Sequence, residues 1–262
     1  MPELPEVERA AGVLRAAVTG RRITALRVLH PAQRKRLRRG DLTAVAGHRV
    51  TRVERRGKHQ LLHLDDGATV HVHFRMTGDW EVVGAREALP RHTRAVLDLD
   101  DGSHVALVDM RALATLEVHP PHAPPILDIG PDAADDALTP AQLHAALATR
   151  RLAIKQALLD QRVLAGVGNI YAAESLWRAK VDPRRPANAI TRAESGRLLR
   201  ALRFVLRRAS GTRYYAREGD DAPDRFDVYG KAGEPCPRCG TAIARTVQGG
   251  RSTYFCPRCQ SS

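Results

Sequence analysis

The strongest limit on how this chain can fold lies at its end. All four cysteines fall in the last 27 residues, as Cys236-Pro237-Arg238-Cys239 and Cys256-Pro257-Arg258-Cys259, with sixteen residues between the pairs. Two C-x2-C knuckles at that separation supply four thiolates to one tetrahedral Zn2+ and leave the intervening segment to form a hairpin. A disulfide pair or a redox dithiol competes with this reading, but both fit poorly with duplicated knuckles in a chain expected to be intracellular. Four sulfur ligands leave no coordination position for water, so the expected role of the single zinc is to order the tail. Arg245 and Arg251 then lie on a rigid hairpin that can aim them at phosphates.

Charge indicates the kind of partner. The chain carries 42 Lys+Arg against 29 Asp+Glu, a formal +13, which points to a polyanion and above all to nucleic acid. Arginines cluster at Arg34-Lys35-Arg36 with Arg38-Arg39, and again at Arg197, Arg200, Arg203, Arg207 and Arg208. No apolar run approaches bilayer length, and the N-terminus has neither a basic n-region nor a hydrophobic h-region, so the expectation is a cytoplasmic, nucleoid-associated protein with no membrane partner. The 262 residues, 43% hydrophobic but only 4% aromatic, suffice for one large or two smaller aliphatic-cored domains.

The pattern along the chain divides it. Residues 5–19 read as a helix ended by Gly20, and runs at 22–29, 49–54, 60–64, 70–74, 95–99 and 105–109 read as strands. Asp65-Asp66-Gly67 and Asp100-Asp101-Gly102 supply hairpin turns, giving an antiparallel β domain over 1–119. A linker rich in Pro and His is expected over 120–138, a helical domain over 139–228, and the cysteine-bearing tail over 229–262. Thr191 with Glu194 forms a capping box before an apolar stripe, and 211–228 reads as a loop. His71 and His73 alternate along a predicted strand with no third ligand suggested nearby, so they are read as hydrogen-bonding groups rather than as a metal pair.

Two readings compete at the N-terminus, Met1-Pro2-Glu3-Leu4-Pro5-Glu6-Val7-Glu8. In the structural one, Pro5 and Glu6 begin a helix and Val7, Leu14 and Val18 form its buried stripe. In the chemical one, removal of Met1 exposes the Pro2 nitrogen as a nucleophile able to form an iminium, with Glu3 as the neighbouring acid. A terminal amine titrates roughly two units below a lysine, so more of it is neutral near pH 7.

Together these pieces resemble the formamidopyrimidine-DNA glycosylase and endonuclease VIII family of base-excision repair enzymes. The resemblance spans the chain and rests on Pro2 to Glu8, Arg56-Gly57-Lys58, Ala153-Ile154-Lys155, Gly166-Val167-Gly168-Asn169 through Glu174, Val228-Tyr229-Gly230 with Gly233-Glu234-Pro235, and the four cysteines. It implies an α+β fold in which an N-terminal antiparallel β-sandwich with an N-terminal helix precedes a helical domain with a helix–two-turn–helix element and a C-terminal zinc finger. It also implies a monomeric bifunctional glycosylase and abasic-site lyase acting on double-stranded DNA that carries oxidised bases or abasic sites.

By the same resemblance Pro2, Glu3, Lys58, Arg251 and Glu6 match catalytic positions. Met76, His92, Arg111, Leu113, Arg150, Lys155, Asn169 and Tyr229 match DNA-binding ones, and Cys236, Cys239, Cys256 and Cys259 match the Zn2+ ligands. Met76 and Leu113 would fill the space left by a flipped base, with Arg111 facing the orphaned partner. Seen alone, Met76 and Leu113 would be taken for strand residues and Asn169 for a helix cap. The family's usual Asp-Pro-Arg-Arg-Phe-Gly stands here as Asp109-Met110-Arg111-Ala112-Leu113-Ala114, an aliphatic wedge for an aromatic one. The 211–228 stretch, matching the loop that caps an oxidised purine, reads as shortened and acidic at Asp220, Asp221 and Asp224. Fapy and 8-oxoguanine are the favoured lesions. Oxidised pyrimidines or hydantoins, and a catalytically silent binder of damaged DNA, stand as alternatives.

Overall fold

The computed structural model describes residues 1–211 and 226–260, so the acidic positions expected in the capping loop lie outside the described residues. By chain contacts the protein divides into two compact units, Met1–Leu127 and Asp128–Ser210 with the C-terminal segment.

The first unit opens on α1 (Leu4–Val18), whose start is fixed by a reciprocal capping box. The Glu3 carboxylate accepts the backbone N–H of Glu6, and the Glu6 carboxylate accepts that of Glu3. Leu4, Val7, Ala10, Ala11, Leu14 and Val18 form its buried stripe. Then follow β1 (Ile23–Val28), the short helices α2 (Pro31–Arg34) and α3 (Asp41–Val45), and strands β2 (Val50–Arg56), β3 (His59–Leu64), β4 (Thr69–His73), β5 (Gly78–Val83), β6 (Thr93–Leu99), β7 (His104–Asp109) and β8 (Thr115–His119). They form two four-stranded antiparallel sheets, ordered β1-β6-β7-β5 and β2-β3-β4-β8. Alternate residues of both sheets, including Leu62, Val72, Leu116, Trp80, Leu97 and Leu107, meet the α1 stripe in one core, which makes the unit a sandwich.

Both Asp-Asp-Gly segments turn hairpins as expected. Gly67 (φ 88°) and Gly102 (φ 82°) take the left-handed conformation, and Asp66 and Asp101 each accept the backbone N–H two residues on. Two strands were not foreseen. In β5 the acids Asp79 and Glu81 interrupt the apolar run, and β8 buries only Leu116 and Val118 before the proline-rich stretch. Met76 and Leu113 are likewise corrected from strand to turn or loop, in the β4–β5 and β7–β8 connections.

The second unit contains α4 (Pro140–Ala148), α5 (Ile154–Leu159), α6 (Asn169–Ala179), α7 (Arg192–Arg208) and the hairpin β9 (Ala244–Gln248) with β10 (Arg251–Phe255). Thr139 with Gln142 and Thr191 with Glu194 build capping boxes on α4 and α7. The α5-turn-α6 segment is the helix–two-turn–helix. Part of the stretch read as linker packs onto this unit: Gly130 donates to the Gln161 carbonyl at 2.8 Å, and Ala133 to that of Ala165 at 3.0 Å.

Gly78 shows how tightly the β4–β5 turn is built, because a Cβ there would lie 2.9 Å from both Cα and Cβ of Phe74, which is itself buried. The expected outcome for Gly78→Ala is a loss of about 1–3 kcal/mol of stability, since backbone rather than a mobile side-chain tip must yield. Thermal unfolding of the variant checks it, and an unchanged midpoint would contradict this packing.

Candidate active site and zinc centre

The N-terminal groups converge because α1 is pinned into the sandwich at its first turn. Pro2 is buried, and Glu3 and Glu6 are only 2% and 4% exposed. The Glu3 N–H donates to Glu6 Oε2 at 2.9 Å. Lys58, also buried, sits in the β2–β3 turn, where Gly57 takes φ 58°. Burial drives the terminal amine of Met1 down to about 6, against the opposing pull of Glu3 and Glu6 and with the help of the Lys58 and Arg111 cations. The first unit therefore gathers, at one corner, an amine that is largely neutral at pH 7, two carboxyl groups and two cations. The structural and chemical readings of the N-terminus are thus both present, since the same acids cap the helix and surround the amine.

Register brings the next group together. In the two sheets Gly78 pairs with Asp109 and His73 with Thr115, so the turn bearing Met76 and the loop bearing Arg111 and Leu113 leave the sandwich at the same end. Asp109 is fully buried and organises that loop: the Thr77 hydroxyl donates to its Oδ1, and the N–H groups of Arg111 (3.2 Å) and Ala114 (2.6 Å) donate to its two oxygens. Arg94 donates to the Asp109 and Met110 carbonyls at 2.6 and 3.1 Å, and buried Gln33 donates to that of Ala114 at 2.8 Å. The backbone is held while Arg111 and Leu113 face outward, Leu113 being 43% exposed. His92, half-buried at φ 66°, joins this end through its carbonyl, which accepts the Asp109 N–H at 3.0 Å. Asp109, Thr77, Arg94 and Gln33 escaped sequence reasoning. Only Asp109 carried a signal, as the first residue of the quoted motif.

In the second unit Asn169 is the first residue of α6, and Gly168 holds the N-cap position, so Asn169 does not cap the helix. Its Nδ2 donates to the Ser252 carbonyl at 3.0 Å, while its buried Oδ1 has no hydrogen-bond partner. Lys155 departs from its expected role of holding DNA. It is fully buried, and its ammonium donates to the Ser252 carbonyl (2.8 Å) and Thr253 Oγ1 (2.7 Å), fastening α5 to the β9–β10 hairpin. Arg150 is half-buried at the end of α4, 3.6 Å from Asp160. Arg251 is exposed at the start of β10, just past Gly249-Gly250. Tyr229 packs edge-on against Tyr254 at 5.2 Å. Its N–H, with those of Asp227 and Val228, binds the carboxylate of buried Glu174 at 2.8–2.9 Å. Burial raises the Glu174 carboxyl despite those three donors. Glu174 ends the Gly166–Glu174 motif, and its role shows only in these long-range backbone contacts.

The ligand atoms of Cys236, Cys239, Cys256 and Cys259 all lie within 4.8 Å of one another. Trp177 of α6 donates to Cys236 Sγ at 3.4 Å, and Ala173, Val228 and Ile243 complete the apolar shell. Four converging sulfurs on two turns and a hairpin fit one structural zinc.

Three family models match in series: the formamidopyrimidine-DNA glycosylase N-terminal domain at residues 1–116, the H2TH domain of the same glycosylase at 129–214, and a zinc finger found in FPG and IleRS at 233–261. A sandwich with a buried N-terminal corner, a helix–two-turn–helix unit and a one-zinc finger define the class. The chain is 37% identical to a formamidopyrimidine-DNA glycosylase of Pelotomaculum thermopropionicum, over 99% of each chain. It superposes on MutM (Fpg) of Thermus thermophilus with a TM-score of 0.84 and 36% identity, covering 100% and 99% of the two chains. It superposes on Lactococcus lactis Fpg bound to DNA containing an AP site with a TM-score of 0.86 and 26% identity, covering 99% and 100%. The chain belongs to the formamidopyrimidine-DNA glycosylase family.

Chelating the zinc is expected to release the finger and change the fluorescence of Trp177, whose indole touches Cys236 and carries the Arg238 guanidinium 4.2 Å above its ring. The check is emission during chelation in the wild type and in Trp177→Phe. A change that persists in the variant would place the released structure elsewhere.

Proposed function

We propose that this chain is a bifunctional DNA glycosylase and abasic-site lyase of base-excision repair, acting as a monomer on double-stranded DNA in the nucleoid, with Fapy and 8-oxoguanine as its favoured lesions. The observation that carries the reading is the buried N-terminal corner, where the terminal amine is held at about 6 beside Glu3, Glu6, Lys58 and Arg111. A helix start needs the acids and Pro5, but it does not need an amine poised to be neutral.

In this reading Met1 is removed and the Pro2 nitrogen, standing in the same surroundings, attacks the sugar C1′ as the damaged base leaves. Glu3 gives a proton to the ring oxygen, and the opened sugar remains linked to Pro2 as an iminium. The iminium acidifies the C2′ hydrogens, so loss of one expels the 3′ phosphate, and a second elimination expels the 5′ phosphate. Lys58 and Arg251 serve these steps mainly by binding phosphates, since a guanidinium keeps its proton. Glu6 acts as a second acid and holds Glu3 through its backbone. Met76 and Leu113 fill the place of the extruded base while Arg111 meets its partner, and the rigid backbone beneath them suits a wedge. His92, Arg150, Asn169 and Tyr229 bind the DNA strand, with the unpartnered Asn169 Oδ1 buried beside its donor. Lys155 acts through the finger it fastens.

Borohydride trapping on duplexes with 8-oxoguanine, Fapy, dihydrouracil, a hydantoin or an abasic site tests the proposal. The expected result is a covalent adduct that disappears in Pro2→Gly and drops by about 10²-fold or more in rate in Glu3→Gln. Because a neutral amine is the nucleophile and the burial that lowers the Met1 amine would act on Pro2 in the same place, trapping should fall as pH drops from neutrality into the acid range. Tight binding with no adduct on any duplex would establish a silent binder instead, and a ranking led by dihydrouracil would move the chain to oxidised pyrimidines.

A further inference from the structure

The sandwich carries a second group of metal-ligating side chains on the face of the β2-β3-β4-β8 sheet turned away from the core. Val70, Val72, Leu116 and Val118 point into the core, so strand alternation sends His71, Glu117 and His119 to the other face. In the register His71 lies directly opposite Glu117, and His119 is two residues further along β8 on the same face. Glu117 Oε2 lies 3.7 Å from His71 Nδ1 and 3.5 Å from His119 Nε2. One ligand atom from each residue falls within 4.8 Å of the others. His119 Nε2 is buried without a hydrogen-bond partner.

We propose that His71, Glu117 and His119 form a second metal site, separate from the four-cysteine centre, for a borderline divalent cation of the Zn2+, Co2+ or Ni2+ type. Two imidazoles and one carboxylate are the donor set such ions prefer, with water completing the coordination. Metal–ligand bonds of about 2.0–2.1 Å set tetrahedral ligand atoms about 3.3 Å apart, so the two spacings to Glu117 need to close by only a few tenths of an ångström. The surroundings suit a metal. His71 Nε2 lies 2.8 Å from His59 Nδ1, and the tautomer that donates along this contact leaves the His71 Nδ1 lone pair facing Glu117. Arg36, 2.6 Å from Glu117 Oε1, leaves Oε2 for the metal but adds a positive charge that opposes it. The site would clip β8 to β4.

The proposal is independent of the glycosylase reading. The test is titration of untagged protein, already carrying its finger zinc, with Zn2+ and in parallel with Co2+, read by calorimetry and by visible absorption. A second equivalent is expected, and its Co2+ form should show the weak bands of nitrogen and oxygen ligation without a thiolate charge-transfer band. His119→Ala and Glu117→Gln should each weaken that equivalent about tenfold or more, whereas His63→Ala, on the same sheet face, should leave it unchanged. Arg36→Ala should tighten it, a gain that no loss of folding can imitate. Saturation at the finger zinc alone, a thiolate band for the second ion, or affinity that ignores both the Glu117→Gln and Arg36→Ala changes would overturn the proposal.

Discussion

The end of the sandwich that presents Met76, Arg111 and Leu113 depends on one buried carboxylate. Asp109 ends β7 fully enclosed, and each of its oxygens is occupied by donors from the loop or from Thr77 of the facing turn. A buried carboxylate without donors would carry a large desolvation penalty, so the loop can relax only by giving up hydrogen bonds to a charged group, worth about 1.5–3 kcal/mol each. Arg94 and Gln33 hold the carbonyls of the same loop from either side. This explains how an exposed aliphatic side chain, Leu113, can be presented firmly: its backbone is over-determined even though the side chain has little packing of its own. Ala112 sits at φ 53°, a conformation unfavourable for a residue with a Cβ, and the surrounding bonds hold it there.

The second unit uses buried polar groups in the same way. The Lys155 ammonium and the Asn169 amide converge on a single carbonyl, that of Ser252 in β10. Glu174 collects three successive backbone N–H groups from 227–229. These ties fix the hairpin and the segment entering it from α5 and α6, while zinc fixes the hairpin from its other end. The position of Arg251, the first residue of β10, therefore rests on polar contacts made far away in sequence as well as on the metal.

Local rules made a good part of this legible before the structure. The Thr191–Glu194 capping box, the two Asp-Asp-Gly turns, six of the strands and the zinc knuckles follow from short-range chemistry, in which neighbours along the chain decide the outcome. Strands β5 and β8 were hidden because their stability comes from cross-strand partners, and β5 pairs with β7 across more than twenty residues. The same blindness affected the histidines. The sequence offers His71 with His73, two residues apart, yet the partners that face His71 across the sheet are Glu117 and, diagonally, His119. Lys155 shows the opposite failure: its motif is visible, but only burial shows that its charge is spent on the protein's own hairpin.

The positive charge has to be judged against this internal use of cations. Arg27 with Asp98, Arg184 with Asp182 and Arg185 with Glu194 are structural pairs, and Arg203 reaches the carbonyls of Asp135, Asp136 and Leu138. Such pairing cannot account for the excess, because each one-to-one pair removes one charge of either sign and leaves the formal +13 untouched. Surface pairs of this kind add little stability, so a chain selected only for folding has no need of so many surplus arginines. Surplus cations raise self-repulsion in the folded state, a cost that is relieved when phosphates replace their counterions. Arg192 and Arg200 of α7 and Arg251 at the finger hairpin are exposed and form no ion pair among the described residues, so they have charge to offer, and a polyanion is the partner that turns this repulsion into binding.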